Sequence, residues 1–151
     1  MFNNLNVVIG IAGGIAAYKS CGIVSFLKSQ GANVDVIMTK NACEFITPLT
    51  LETLSGNKVI VDMFDRPDHM DVKHISLAKK ADLFLVVPAT ANIIGKVANG
   101  IADDMLSTTI MATKAPVVFA PAMNNGMYEN SIVQNNLKKL KSYGYEIIEP
   151  A

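Results

Sequence analysis

The sequence predicts an α/β domain: a doubly wound parallel sheet with helices on both faces. Three observations carry this. Short apolar, β-branched runs alternate with helix-period segments along the whole chain. The first run passes through two glycines into a helical segment and then a second strand, a βαβ unit that must be parallel and right-handed. Half of the 151 residues are hydrophobic and 17% are charged, which suffices for one buried core and excludes wholesale disorder.

The elements follow in order. Asn6 to Ile11 is the first strand and ends at Gly13-Gly14. Ile15 to Gln30 carries apolar residues at Ile15, Tyr18, Ile23, Phe26 and Leu27, which suits a helix, and Gly31 stops it as a C′ glycine does. Asn33 to Thr39 alternates apolar and polar residues and forms the second strand. Ala42 to Ser55 is helical, with Pro48 as an interruption or a start, and Val59 to Val61 suggests a further short strand. Asp62 to Lys73 is polar and holds Pro67, a surface loop. His74 to Lys80 is a helix leading into the strongest strand, Asp82 to Val87.

A turn over Pro88 to Asn92 precedes helical segments at Ile93 to Ala98 and Asp103 to Thr113. Pro116 to Ala120 is the next strand. Asn130 to Ser142 is an amphipathic helix with Ile132, Val133, Leu137 and Leu140 inward, and Tyr145 to Ile148 is the last strand. With no internal repeat or linker, residues 1–151 form a single domain.

Thirteen basic residues balance thirteen acidic ones, so the composition gives no electrostatic footprint for nucleic acid or an anionic membrane. No apolar run approaches bilayer length, and Met1 to Asn6 has no cationic leader, which predicts a cytoplasmic protein. Cys21 and Cys43 fit neither a disulfide framework nor a metal-ligand spacing, so no metal is expected.

Ligands of such sheets bind outside the carboxyl ends of the strands. Three strand ends carry unusual residues: Gly13-Gly14, Pro88 to Asn92, and Pro121-Ala122-Met123-Asn124. The first is not a dinucleotide fingerprint, and no acidic residue closes the second strand. It suits either a mononucleotide phosphate at a helix start or a plain tight turn. Thr90 and Asn92, like Thr39 and Asn41, can bind a ligand or cap the next helix. Asn124 and Asn125 can grip a carboxylate or a flavin edge, or tolerate strained loop angles. His74 opens a helix, where the positive dipole end favours the neutral ring of a general base; a solvated or capping histidine is the other reading. His69 lies in the polar loop and reads as exposed.

Five segments together are more specific: Gly13 to Lys19 (GGIAAYK), His74 to Leu77 (HISL), Pro88 to Asn92 (PATAN), Asn99 to Thr109 (NGIADDMLSTT) and Pro121 to Tyr128 (PAMNNGMY). In this order and spacing, over nearly the whole length, the chain resembles the homo-oligomeric flavin-containing cysteine decarboxylases, phosphopantothenoylcysteine decarboxylase above all. The last segment looks like that family's PxMNxxMW signature with Tyr128 in place of tryptophan.

The resemblance implies a flavodoxin-like Rossmann fold, trimers or dodecamers of four trimers, and FMN bound between subunits. It implies that Gly13, Gly14 and Ile15 meet the FMN phosphate. Thr39, Asn41 and Phe45 would lie along the flavin, and Thr90, Ala91, Asn92 and Ile93 with Ala122 would complete the pocket. His74 matches the catalytic base, Asn124 the catalytic residue that binds the substrate carboxylate, and Met127 a substrate neighbour. The implied reaction is oxidation of a cysteine thiol by flavin and loss of CO₂, here from 4′-phosphopantothenoylcysteine in coenzyme A synthesis. The family places a catalytic cysteine in a flap just beyond the equivalent of Ile148 to Pro150, so the expectation is a domain truncated before that flap. A peptidyl-cysteine oxidative decarboxylase and a non-catalytic FMN-binding regulatory subunit are the alternatives.

Overall fold

The computed structural model describes residues 1–64 and 73–150. Among them, five parallel strands form one sheet: β1 (Asn6–Ile11), β2 (Asn33–Met38), β3 (Leu83–Ala89), β4 (Val117–Pro121) and β5 (Glu146–Ile147), in the order β2-β1-β3-β4-β5. Seven α-helices flank it: α1 (Ser20–Ser29), α2 (Pro48–Ser55), α3 (Lys73–Lys80), α4 (Ala91–Ala98), α5 (Met105–Ala112), α6 (Asn125–Glu129) and α7 (Ser131–Ser142). This is the flavodoxin-like strand order. The chain reverses direction across the sheet between β1 and β3, so a crevice opens above their carboxyl ends.

Local chemistry sets most element ends. Gly31 at φ +90° terminates α1, and Gly56 at φ +76° ends α2, both in the left-handed region that suits glycine. Pro48 is the first residue of α2, where its missing N–H costs nothing. Asp104 and Ser107 form a reciprocal capping box at α5, and Asn130 caps α7.

The two sheet faces bury different clusters. Val8, Phe84, Val86 and Phe119 pack with residues of α3, α4, α5 and α7, such as Leu77, Ile94, Leu106, Ile110, Leu137 and Leu140. On the other face, Val7, Ile9, Val34 and Val36 pack with Val24 and Leu27 of α1 and Leu51 of α2. Among the described residues that second layer is incomplete. Leu83, Leu85 and Val87 of β3, with Val118 and Ala120 of β4, point to the α1 side and are only half-buried, whereas their neighbours Phe84, Val86, Val117 and Phe119 are buried.

Several boundaries differ from the sequence reading. The first helical stretch opens as a 3₁₀ turn over Ile15–Lys19, where the Ala17 N–H donates to the Gly14 carbonyl at 3.0 Å, and only then becomes α1. Ile15, Tyr18 and Phe26 are exposed, and the buried positions are Ala17, Ser20, Val24 and Leu27. The Ala42–Ser55 segment splits into a 3₁₀ turn at Ala42–Glu44 and α2. The strand expected at Val59 to Val61 is a single bridge, Ile60 opposite Ile37.

Pro88 does not begin a turn. The strand runs through it to Ala89, across a register irregularity where a missing N–H is tolerated, and the Val87–Pro88 peptide is cis. Ile132 is not inward: Val133, Leu137 and Leu140 form an i, i+4, i+7 stripe, and Ile132 stands about 100° away around α7. The last strand is Glu146–Ile147 only. Most of the polar loop, including His69, lies outside the described residues. Among the described residues no helix is long and apolar enough to cross a membrane.

Candidate functional site

A cleft of about 1100 Å³ opens at the carboxyl edge of the sheet. It is lined in turn by the chain leaving β1 (Ala12 to Ala16), β2 (Met38 to Asn41), β3 (Thr90 to Ile93) and β4 (Pro121 to Asn124), with Met105 and Leu106 of α5 and Met127 of α6. Parallel strands put all their exits on one edge, so residues as far apart as Gly13 and Asn124 converge. Twelve of the expected site residues line this cleft: Gly13, Gly14, Ile15, Thr39, Asn41, Thr90, Ala91, Asn92, Ile93, Ala122, Asn124 and Met127.

Two glycines open the floor for different reasons. A Cβ on Gly13 would stand 2.5 Å from Asn41 Cβ and 2.7 Å from the Asn41 carbonyl carbon, so the loops after β1 and β2 touch only because Gly13 has no side chain. Gly14 is extended (φ −152°, ψ 165°), and its nearest neighbour would be Thr90 Cγ2 at 3.8 Å. It leaves the rim of the turn low. Beyond it, the N–H groups of Ile15 and Ala16 open the 3₁₀ turn, where the first amides of a helix have no partner inside it.

Three polar side chains of the cleft share one arrangement. Thr39 Oγ1 accepts from the Ala42 N–H at 3.1 Å, and Thr90 Oγ1 accepts from the Ile93 N–H at 3.3 Å as the cap of α4. Asn124 Oδ1 accepts from the Met127 N–H at 2.8 Å as the cap of α6. Each uses its oxygen on a backbone amide. That leaves both hydroxyl protons and the Asn124 NH₂ as donors, because a backbone N–H must be met by oxygen and so fixes the Asn124 amide. Capping and ligand binding are therefore not alternatives here: the cap holds the donor in place. A pocket rimmed by donors suits a ligand rich in acceptors, such as a phosphate, a carboxylate or a ring bearing carbonyls.

Sequence reasoning missed the charged wall. Lys96 in α4 and Asp103 in the following loop both line the cleft and pair at 2.9 Å. The hydrogen bond from Lys96 holds the Asp103 carboxyl below its ordinary range. The pair is seven residues apart across a helix end, so no helical spacing announces it. Lys40, Val61, Asp62, Met63, Phe64 and Pro150 also line the cleft, and none belongs to a motif. The approach of Pro150 follows from the tail's anchorage: the Tyr128 hydroxyl donates to Glu149 Oε2 at 2.6 Å, and Lys141 Nζ donates to Glu149 Oε1 at 2.9 Å.

Two expected residues stand apart from the cleft lining. Phe45 follows the Ala42–Glu44 turn and is half-exposed, and His74 sits half-buried at the second position of α3, which packs on α5. Both thiols are away from the cleft lining too; burial raises the pKa of Cys21 and Cys43. Among the described residues, no cluster of His, Cys, Asp and Glu could hold a metal ion.

The family model described as Flavoprotein matches residues 1–151. The chain is 58% identical over 150 residues to the coenzyme A biosynthesis bifunctional protein CoaBC of Borreliella burgdorferi, covering 99% of this chain and 38% of that relative. It therefore spans little more than a third of the bifunctional relative. It is 43% identical over 146 residues to a probable phosphopantothenoylcysteine decarboxylase of Streptococcus mutans, covering 95% of this chain and 82% of that one. Among solved structures, the FMN-dependent cysteine decarboxylase SpaF superposes with a TM-score of 0.93 at 32% identity, over 99% of this chain and 86% of that one.

Proposed function

Because the chain belongs to the flavoprotein family, we propose that it binds FMN in this cleft and decarboxylates 4′-phosphopantothenoylcysteine to 4′-phosphopantetheine in coenzyme A synthesis. The observation that carries the reading is the donor-rich cleft at the β1/β3 switch point, the position at which flavodoxin-like sheets take FMN. At about 1100 Å³ it has room for a flavin and a substrate side by side.

In this reading the amides of Gly14, Ile15 and Ala16 receive the cofactor phosphate. Thr39 and Asn41 on one wall, and Thr90 to Ile93 with Ala122 on the other, receive the ring. Bound FMN would supply the two-electron acceptor for oxidation of the cysteine thiol to a thioaldehyde. The thioaldehyde is the electron sink that lets the neighbouring carboxylate leave as CO₂, with the C–COO⁻ pair passing into an enethiolate. Formation of 4′-phosphopantetheine would then require that enethiolate to take back the same two electrons from the reduced cofactor together with protons, so the overall decarboxylation involves no net oxidation.

The chain's own groups then have defined tasks. Asn124 presents its NH₂ to the substrate carboxylate, held by the bond of its Oδ1 to Met127, and Met127 flanks the substrate. His74 takes the proton released as the thiol is oxidised. The half-bare sheet face of β3 and β4 supports a homo-oligomer, since parallel sheets occur almost only with both faces covered. Because His74 lies off the cleft lining of its own chain, we place it in the cleft of a neighbouring protomer.

The test begins with the visible spectrum of purified, desalted protein, followed by CO₂ release from 4′-phosphopantothenoylcysteine. Flavin bands without CO₂ from that substrate, but with CO₂ from a peptide ending in cysteine, would transfer the assignment to a peptidyl-cysteine decarboxylase. A colourless protein that refuses added FMN would sink the reading.

A further inference from the structure

We propose that Ser20 is a positioning residue of the cleft: its hydroxyl sets the distance between the turn that would receive the cofactor phosphate and the wall that would receive the ring. The inference rests on the FMN reading above.

The register of the sheet explains why such a residue is needed. Pairing of β3 with β4 runs Val86 opposite Phe119 and then Ala89 opposite Pro121, so three steps along β3 match two along β4. The extra residue breaks the ladder at Val87 and Pro88, and their carbonyls lose the regular partners of a strand. Two other groups take over those carbonyls, and the Ala122 N–H resumes the ladder at Ala89. The Ser20 hydroxyl donates to the Val87 carbonyl at 2.6 Å, the Ala12 N–H donates to the Pro88 carbonyl at 3.2 Å, and the Ala122 N–H donates to the Ala89 carbonyl at 3.0 Å. The next residue is Thr90, where the cleft wall begins.

Ala12 and Ala122 are themselves cleft residues, so two of these bonds tie one wall to another through backbone amides that no substitution but proline removes. The third bond comes from a side chain. Ser20 is 1% exposed and is the first residue of α1, directly after the 3₁₀ turn whose opening amides form the anion end of the cleft. One buried hydroxyl thus joins the far end of that turn to the bulge from which Thr90, Ala91 and Asn92 emerge. A ligand that touches both walls at once feels their spacing, whereas a ligand that touches one does not.

FMN and riboflavin differ only in the phosphate and so separate these cases. In the wild-type protein FMN is expected to bind more tightly than riboflavin; equal affinities would overturn the FMN reading itself. Ser20→Ala is expected to shrink that preference by about tenfold or more, with riboflavin affinity much less changed, as is usual when a buried carbonyl loses its partner and shifts. Ser20→Thr, which keeps the hydroxyl, is expected to restore the preference. Should Ser20→Ala fail to fold, Ser20→Cys keeps the shape with a weaker donor and is read by the same ratio. A Ser20 variant that lowers thermal stability while weakening FMN and riboflavin by the same factor, or neither, would reduce Ser20 to a structural role and overturn the proposal.

Discussion

Gly13 leaves no room for a side chain against Asn41 at the cleft floor: a Cβ on Gly13 would stand 2.5 Å from Asn41 Cβ and 2.7 Å from the Asn41 carbonyl carbon. This close approach brings the exits of β1 and β2 together, and neither can retreat without dragging a buried strand.

Gly13→Ala is accordingly expected to lose about 1–3 kcal/mol of stability through overpacking, and FMN with it. Gly14→Ala meets only ordinary contact at 3.8 Å and is expected to keep near-wild-type stability. Thermal unfolding of the two variants, and their retained flavin absorbance, check this. Equal damage from both substitutions would refute the distinction.

Asn124→Asp should leave the fold intact, since aspartate caps a helix as well as asparagine does. It removes the NH₂ donor and would set a negative charge before the carboxylate of the proposed substrate. Substrate affinity is expected to fall by roughly tenfold or more, with FMN still bound. Asn124→Ala should add about 1 kcal/mol of lost capping. Titration of the cysteine substrate into the flavin-loaded variants measures the affinity and thermal unfolding the lost cap, and an unchanged affinity in Asn124→Asp would remove the carboxylate from this residue.

His74→Asn is expected to retain FMN and release no CO₂. If His74 serves a neighbour's cleft, mixing His74→Asn with Asn124→Asp under conditions that let subunits exchange should recover activity. Random assembly places both native residues at about a quarter of the sites. Recovery of none, from mixed oligomers verified by mass, would place both residues in one chain's cleft.

Leu85 and Val118 face each other's strand on the half-bare side of the sheet. Leu85→Asp should weaken self-association by roughly thirtyfold or more, as central interface residues do, while the far-ultraviolet dichroism stays native. Sedimentation at several concentrations reads the first effect and flavin retention the consequence for the cleft. An unchanged oligomer would mean that some other surface joins the subunits.

The tail should respond to pH from both sides. The hydrogen bond to Tyr128 and then that to Lys141 hold the Glu149 carboxyl below its ordinary value, while the bond to Glu149 raises the Tyr128 hydroxyl. A lowered carboxyl contributes stability that is present above its ordinary value and lost as the pH falls through the lowered one. A raised phenol contributes stability that is present below its ordinary value and lost as the pH climbs through the raised one. Protection of the Ile148 amide, which donates to the Phe119 carbonyl at 2.8 Å, should be highest between these limits. Tyr128→Phe is expected to lower it several-fold at neutral pH and to converge with wild type in acid. Parallel curves for the two proteins would separate Tyr128 from the tail.

Much of this was legible in the linear sequence. Alternation of β-branched runs with helix-period segments determined a parallel α/β sheet, because side-chain period and strand chemistry are local properties. Gly31, Pro48 and the motif segments marked turns and strand exits for the same reason, and those exits in a parallel sheet must share an edge. Tertiary structure alone decided what those exits do together. The pairing of Lys96 with Asp103, the grip of Ser20 on Val87, the bulge that carries β3 through Pro88, and the distance of His74 from its own cleft all depend on contacts between elements. Hydrophobic period is silent on such contacts, because it says which face of an element is buried and not which residue of another element meets it.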